Sequence, residues 1–188
     1  IYRNFAYYYD LLMDEVDYGA WADYIEEIFK KMGLRASLIA DLGCGTASFC
    51  IEMSKRGYEM IGIDISQDML SVAKEKAIEK DADILLLNQD ISEFELYGSV
   101  DAIVCLMDSV NYITDADALK NTFKLVENYL NPGGLFIFDV NSEYKFEHIL
   151  ADNVFYHVSD DITYIWQNEY NKKEKSCVFD LTFFARTG

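Results

Sequence analysis

No run of about 18 uninterrupted apolar residues occurs in this chain, and its first residues lack the basic-then-apolar pattern of an export signal. A membrane partner is not expected, and the reading is of a soluble, cytoplasmic protein. Basic side chains are scarce: 16 Lys and Arg stand against 33 Asp and Glu, a formal charge of −17. Such a surface repels phosphate backbones, so a nucleic-acid partner is disfavoured. The only basic cluster, Lys172, Lys173 and Lys175, is diluted by Glu174 and reads as a solvated hairpin tip. Histidine is limited to His148 and His157, and the four cysteines (Cys44, Cys50, Cys105, Cys177) show no C-x-x-C spacing. A His/Cys zinc site therefore has no framework, no metal is expected, and buried free thiols are the simplest reading. Internal repeats and low-complexity linkers are also missing.

What is present is a core. Hydrophobic residues make up 51% of the 188 positions and aromatics 15%, enough for one folded domain. Trp21, Ile25, Ile28 and Met32 put apolar side chains on one face of a helix over 20–32, which Gly33 can close. "SLIADLG" reads as a buried strand, 46–56 as a helix stopped by Gly57, and "YEMIGIDIS" as a second strand. Ser66 can cap the next helix, with Asp68 favoured in its first turn. "ADILLLNQD" and "VDAIVCLMD" give two further strands. Leu119, Phe123, Val126 and Leu130 mark a helical face ended by "NPGG" at 131–134, and "LFIFDV" is a fifth strand.

Apolar strands alternating with helices predict an α/β fold, a doubly wound Rossmann-like parallel sheet with helices on both faces. After Asn141 the pattern changes to a short helix at 142–150 and three β-rich runs separated by "DD" and "NKKEK". These predict an added antiparallel β-meander placed as a lid over the ligand edge. The expected division is a cofactor-binding core with an N-terminal helical segment over 1–142, and the meander over 143–188 within the same domain.

The chemistry concentrates in "IADLGCGTASF", Ile39 to Phe49. In a doubly wound sheet, ligands bind beyond the carboxyl ends of the strands, and glycines there let a ligand approach the backbone. The dinucleotide fingerprint fails at its third small residue, which is Ser48, and the P-loop lysine is missing. Asp64 ends the second strand 21 residues after Gly43, where a carboxylate can accept both hydroxyls of a ribose.

The spacing is instead that of D-x-G-x-G-x-G with Ala47 at the last glycine. With "GIDIS" (62–66), "NQDI" (88–91), "CLMDSVNY" (105–112) and "LNPGGLFIFDVNS" (130–142), the chain resembles the class I S-adenosylmethionine-dependent methyltransferases. "FAYYYD" at 5–10 and "DYGAW" at 17–21 are similar to a small bacterial group that opens with F-A-x-x-Y-D. The resemblance implies a methyltransferase acting on a small molecule, with S-adenosylmethionine as cofactor and S-adenosylhomocysteine as product.

It also implies roles. Gly43, Cys44 and Gly45 pass under the methionine part, supplying room and backbone donors, and Asp41 orders the loop or the ammonium group. Asp64 takes the ribose, Ile65 and Met69 pack on the adenine, and Asp90 accepts from its amino group beside the Ile91 N–H. Met107 adds backbone contacts. Asp108 orients or deprotonates the acceptor, or else caps the following turn with Ser109; Asn111 and Tyr112 line that region. Tyr9 closes over the cofactor and Trp21 walls the same cleft, or both belong to an aromatic cluster anchoring the first helix. Methyl transfer from a sulfonium needs positioning and water exclusion rather than a metal or covalent nucleophile. The class has a seven-stranded sheet, so the expectation is that its last strands lie outside this chain. Two other readings remain at this point: a non-catalytic cofactor-binding subunit, and a nicotinamide-dependent oxidoreductase.

Overall fold

The computed structural model describes residues 2–159 and 162–185. The "DD" turn at 160–161 and residues 186–188 lie outside the described residues. Two compact units divide at Val140 and Asn141.

In the first unit α1 (Tyr2–Leu12) and α2 (Tyr18–Met32) precede β1 (Leu38–Leu42). Helix α2 starts where the Asp17 carboxylate accepts the Ala20 N–H at 2.8 Å. It stops at Gly33, whose φ of +70° lets Gly33 and Leu34 N–H return to the carbonyls of Lys30 and Phe29. Then follow α3 (Ser48–Lys55), β2 (Glu59–Asp64), α4 (Gln67–Glu79), β3 (Ile84–Asn88), β4 (Val100–Cys105), a 3₁₀ turn (Ser109–Tyr112), α5 (Ala116–Tyr129) and β5 (Leu130–Phe138). Ser66 caps α4 by accepting the Met69 N–H, with Asp68 in the first turn.

The sheet is parallel throughout, in the order β3-β2-β1-β4-β5. Strand order reverses between β1 and β4, which is where such sheets open a crevice. The alternation of side chains along β1 feeds two cores. Ile39 joins the cluster holding Ile25, Phe29 and Met53 from α2 and α3, while Ala40 and Leu42 join Val126 of α5 on the opposite face.

Two expectations need correction. Leu130 is the first residue of β5, not the end of a helical face, and "NPGG" lies within the strand rather than before it. Leu130 pairs with Val100 and Leu135 with Ala102, so this stretch forms the irregularity between those pairs, aided by Gly133 at φ +83°. Strand β3 is apolar on both faces but stands at the sheet edge, which leaves Leu85 exposed.

The second unit has a π-helical turn (Lys145–Leu150) and an antiparallel sheet of β6 (Val154–Val158), β7 (Ile162–Asn171) and β8 (Ser176–Ala185), in sequence order. Phe155, Trp166 and Phe179 form a cross-strand aromatic run, with centroids 5.2 and 5.4 Å apart. The basic hairpin tip is largely neutralised, Lys172 by Glu147 at 3.0 Å and Lys175 by Glu143 at 2.9 Å. No helix among the described residues is long and apolar enough to cross a membrane.

Candidate active site

A cleft of about 600 Å³ opens beyond the carboxyl ends of β1 to β4, a volume in the usual range for a small-molecule site. Strand ends supply its acids: Asp41 on β1, Asp64 closing β2, and Asp90 two residues past β3. Asp115, the cap of α5, adds a fourth carboxylate. No Lys, Arg or His is among the described lining residues.

The glycine loop is folded back on β2 rather than left open. Gly43 and Cys44 N–H both donate to the Ile63 carbonyl, at 2.8 and 3.0 Å. Gly45 N–H donates to Asp64 Oδ2 at 2.8 Å, and Ser66 N–H to Asp64 Oδ1 at 2.8 Å. The expectation that this loop offers backbone donors is therefore corrected, because its first three amides are already used. An anion nest needs those amides free, so phosphate is disfavoured by the geometry as well as by the charge. The two glycines differ. A Cβ at Gly43 would sit 2.8 Å from Ser109 Oγ, so Gly43 serves packing, whereas at Gly45 the nearest neighbour is the Tyr9 ring at 3.9 Å. Ala47 holds the left-handed conformation at φ +59° that a glycine would take without strain.

Each Asp64 oxygen keeps a second lone-pair site after accepting its backbone N–H, which leaves room for two ribose hydroxyls. Asp41 is 4% exposed and meets Cys50 Sγ at 3.3 Å. Burial pushes its carboxyl up to about 7; the Cys50 contact opposes this and the Asp64 charge adds to it. A cation delivered to this cleft would restore its ionisation. Burial also holds the Tyr9 hydroxyl above its ordinary range, with the neighbouring Tyr18, Tyr112 and Asp64 adding to it.

Of the residues singled out from sequence, Tyr9, Asp41, Gly43, Cys44 and Gly45 line the cleft on the loop side. Asp64, Ile65 and Met69 line it beyond β2, Asp90 and Ile91 beyond β3, and Met107 and Tyr112 beyond β4. Three do not. Trp21 packs against the α2–α3 core, and its place on the cleft is taken by Tyr18, one turn earlier on α2. Asp108 and Asn111 stand outside the lining as well.

Asp108 N–H donates to Asp139 Oδ2 at 2.9 Å, fixing a turn in which Met107 (φ +57°) and Asp108 (φ +53°) are both left-handed. Consecutive non-glycine residues in that region are strained, and such strain gathers near functional sites. Asp139 Oδ1 is buried with no hydrogen-bond partner among the described residues. The sequence reading missed Asp139 and Tyr18. The signal was there for Asp139, since "LFIFDV" ends a strand in Asp as "SLIADLG" and "GIDIS" do.

A nucleoside cofactor without phosphates suits this cleft, which sets the fold among the Rossmann-like class I methyltransferases. Residues 39–134 match the family model described as a methyltransferase domain, and the chain belongs to that family. A provisionally named methyltransferase of Bacillus subtilis (strain 168), YqeM, is 38% identical over 189 residues, spanning 100% of this chain and 74% of its own length. The crystal structure of an S-adenosylmethionine-dependent methyltransferase from Clostridium acetobutylicum ATCC 824 superimposes with a TM-score of 0.87 at 37% identity. It covers 100% of this chain and 76% of the other. A dTDP-3-amino-3,4,6-trideoxy-alpha-D-glucopyranose N,N-dimethyltransferase of Streptomyces venezuelae is 27% identical over 121 residues, 64% of this chain and 49% of that one. The chain is accordingly an S-adenosylmethionine-dependent methyltransferase, and S-adenosylmethionine is its cofactor. The nicotinamide reading is set aside.

Proposed function

We propose that this enzyme methylates a small-molecule amine. The observation that carries the reading is the lining of the cleft: four acidic side chains, one of them (Asp41) with its proton held up by burial, and no basic side chain among its described lining residues. Such a site favours a neutral or cationic occupant and disfavours a phosphorylated one. The N,N-dimethyltransferase activity in the name of the Streptomyces venezuelae relative supports nitrogen as the accepting atom; its sugar carries a dTDP group, so it supports nothing about the charge of the occupant. The cofactor, when bound, supplies a methyl group already activated on sulfur. The chain's own part is to hold and exclude. Asp64 accepts the ribose hydroxyls, Asp90 the adenine amino group, and Asp41 offsets the ammonium. Ile65, Met69 and Ile91 give the adenine apolar contact, while Tyr9 and Met107 keep water from the reacting centre. Burial, with the Asp108 charge adding to it, raises the Tyr112 hydroxyl above its ordinary range. Tyr112 lines the cleft and orients the acceptor, and Asp108 acts on it from outside the lining.

We further place the chain in the small bacterial group that opens with F-A-x-x-Y-D, a segment carried here on α1 with Tyr9 at the cleft. A cytoplasmic location belongs to the same reading, and the four free thiols suit a reducing compartment. The test is transfer of labelled methyl from S-adenosylmethionine by full-length protein into a metabolite extract. Label in a basic, amine-containing fraction is expected. Label confined to RNA or protein would overturn the small-molecule assignment.

A further inference from the structure

Asp10 follows Tyr9 on α1 and closes a ring of contacts with two other elements. Its Oδ1 accepts from Thr46 Oγ1 at 2.6 Å, and its Oδ2 pairs with Lys76 Nζ at 2.6 Å. Lys76, in the last turn of α4, also donates to Thr46 Oγ1 at 3.1 Å and Ser48 Oγ at 2.7 Å. An ammonium has three protons, and each has an acceptor here. The side chains of Lys76 and Asp10 are 22% and 33% exposed, so salt and solvent screen this pair less than a surface pair. Thr46 is 1% exposed. It directly follows Gly45, and Ser48, which also reaches the Tyr18 hydroxyl, opens α3.

The glycine loop is thus held from two sides. Asp64 takes the Gly45 N–H, and the Asp10–Lys76 pair takes the hydroxyls beyond it. Tyr9 lies over the same Gly45, and Phe5, one turn earlier on α1, meets its ring edge-on with centroids 5.9 Å apart. Fixing the backbone at residue 10 fixes residue 9, and an aromatic ring with two torsions then has little freedom left.

We infer that Asp10 is a positioning residue for cofactor binding: by clamping the end of α1 to Thr46 and Lys76 it sets Tyr9 over the glycine loop. The inference rests on the cofactor reading of the cleft. Calorimetric titration of S-adenosylhomocysteine into full-length protein, on a double-mutant cycle of Asp10→Asn and Tyr9→Ala, separates positioning from general support. In the parent background Asp10→Asn weakens binding about tenfold, and with Tyr9 already Ala by less than about twofold. Asp10→Glu, which keeps the carboxylate, stays within about threefold of the parent. Equal losses in both backgrounds, no loss in either, or a Glu variant as weak as the Asn variant overturns the inference. Should Asp10→Asn lack a cooperative melt, Lys76→Gln goes through the same cycle under the same criterion. A parent protein that does not bind S-adenosylhomocysteine refutes the cofactor reading itself and the inference with it, an outcome distinct from an additive cycle.

Discussion

Raising the pH from about 5.5 to about 7 should tighten S-adenosylhomocysteine binding roughly 15-fold, with Asp41 as the cause. Burial holds the Asp41 proton up to about 7, against an ordinary 3.8. Disfavouring ionisation to that extent amounts to about 4 kcal/mol. For the ligand-free protein the sign is that of a raised carboxyl. Well below about pH 4, the group is protonated in both the folded and the unfolded chain. As pH rises the unfolded chain ionises first, so this contribution to stability is lost between roughly pH 4 and pH 7. A ligand ammonium beside Asp41 favours the carboxylate, so binding below about pH 7 releases a proton and strengthens as the proton becomes easier to lose. If the bound ammonium returns Asp41 to about 4, the 15-fold factor follows from the two values. Calorimetry at both pH values, in two buffers of different ionisation enthalpy, measures the affinity and counts the proton. Asp41→Asn should flatten the profile to within about twofold, since an amide does not titrate in this range. A flat profile in the parent, or an unchanged slope in the variant, would refute the assignment of Asp41 to the ammonium.

Two further outcomes follow from single contacts. Asp64→Asn sets an amide where both oxygens now accept backbone N–H groups; S-adenosylhomocysteine affinity should fall about 100-fold by titration, from roughly 2–3 kcal/mol of lost charge-assisted bonding. Retention within about threefold of the parent would sink the ribose assignment. Gly62→Ala puts a Cβ 2.9 Å from Cys44 Sγ and 3.0 Å from Leu86 Cδ2, and this overpacking should cost about 1–3 kcal/mol in a urea melt; an unchanged midpoint would show that β2 can shift away from the loop.

The strand and helix alternation through residue 129 was legible because it is local. Apolar runs, Ser66 beside a helix start and Gly33 at a helix end each state their element within a few residues. The Asp17 cap, which starts α2 two residues before the expected 20, was seen only in the structure. "NPGG" was not, because its pairing partner is β4, some 30 residues earlier, and only that pairing makes it a strand with an irregularity. The cleft divided the same way. Carboxylates at strand ends could be read off, since a parallel sheet brings every strand's carboxyl end to one edge; Asp41, Asp64 and Asp90 all arrive there.

What the sequence determined by itself, then, was the order of elements, the family motifs and the acids that reach the cleft, since these depend on spacing along one chain. Tertiary structure alone decided that, of two neighbours on α2 packed against the same core, Tyr18 also lines the cleft and Trp21 does not. It decided that the loop amides bond to Ile63 and Asp64 rather than to a ligand. It also decided that Asp10 closes on Thr46, 36 positions later in the chain, and on Lys76 beyond it. The physical reason is that burial, donor saturation and ion pairing are set by atoms that are close in space and far apart in sequence, and no local pattern encodes those distances.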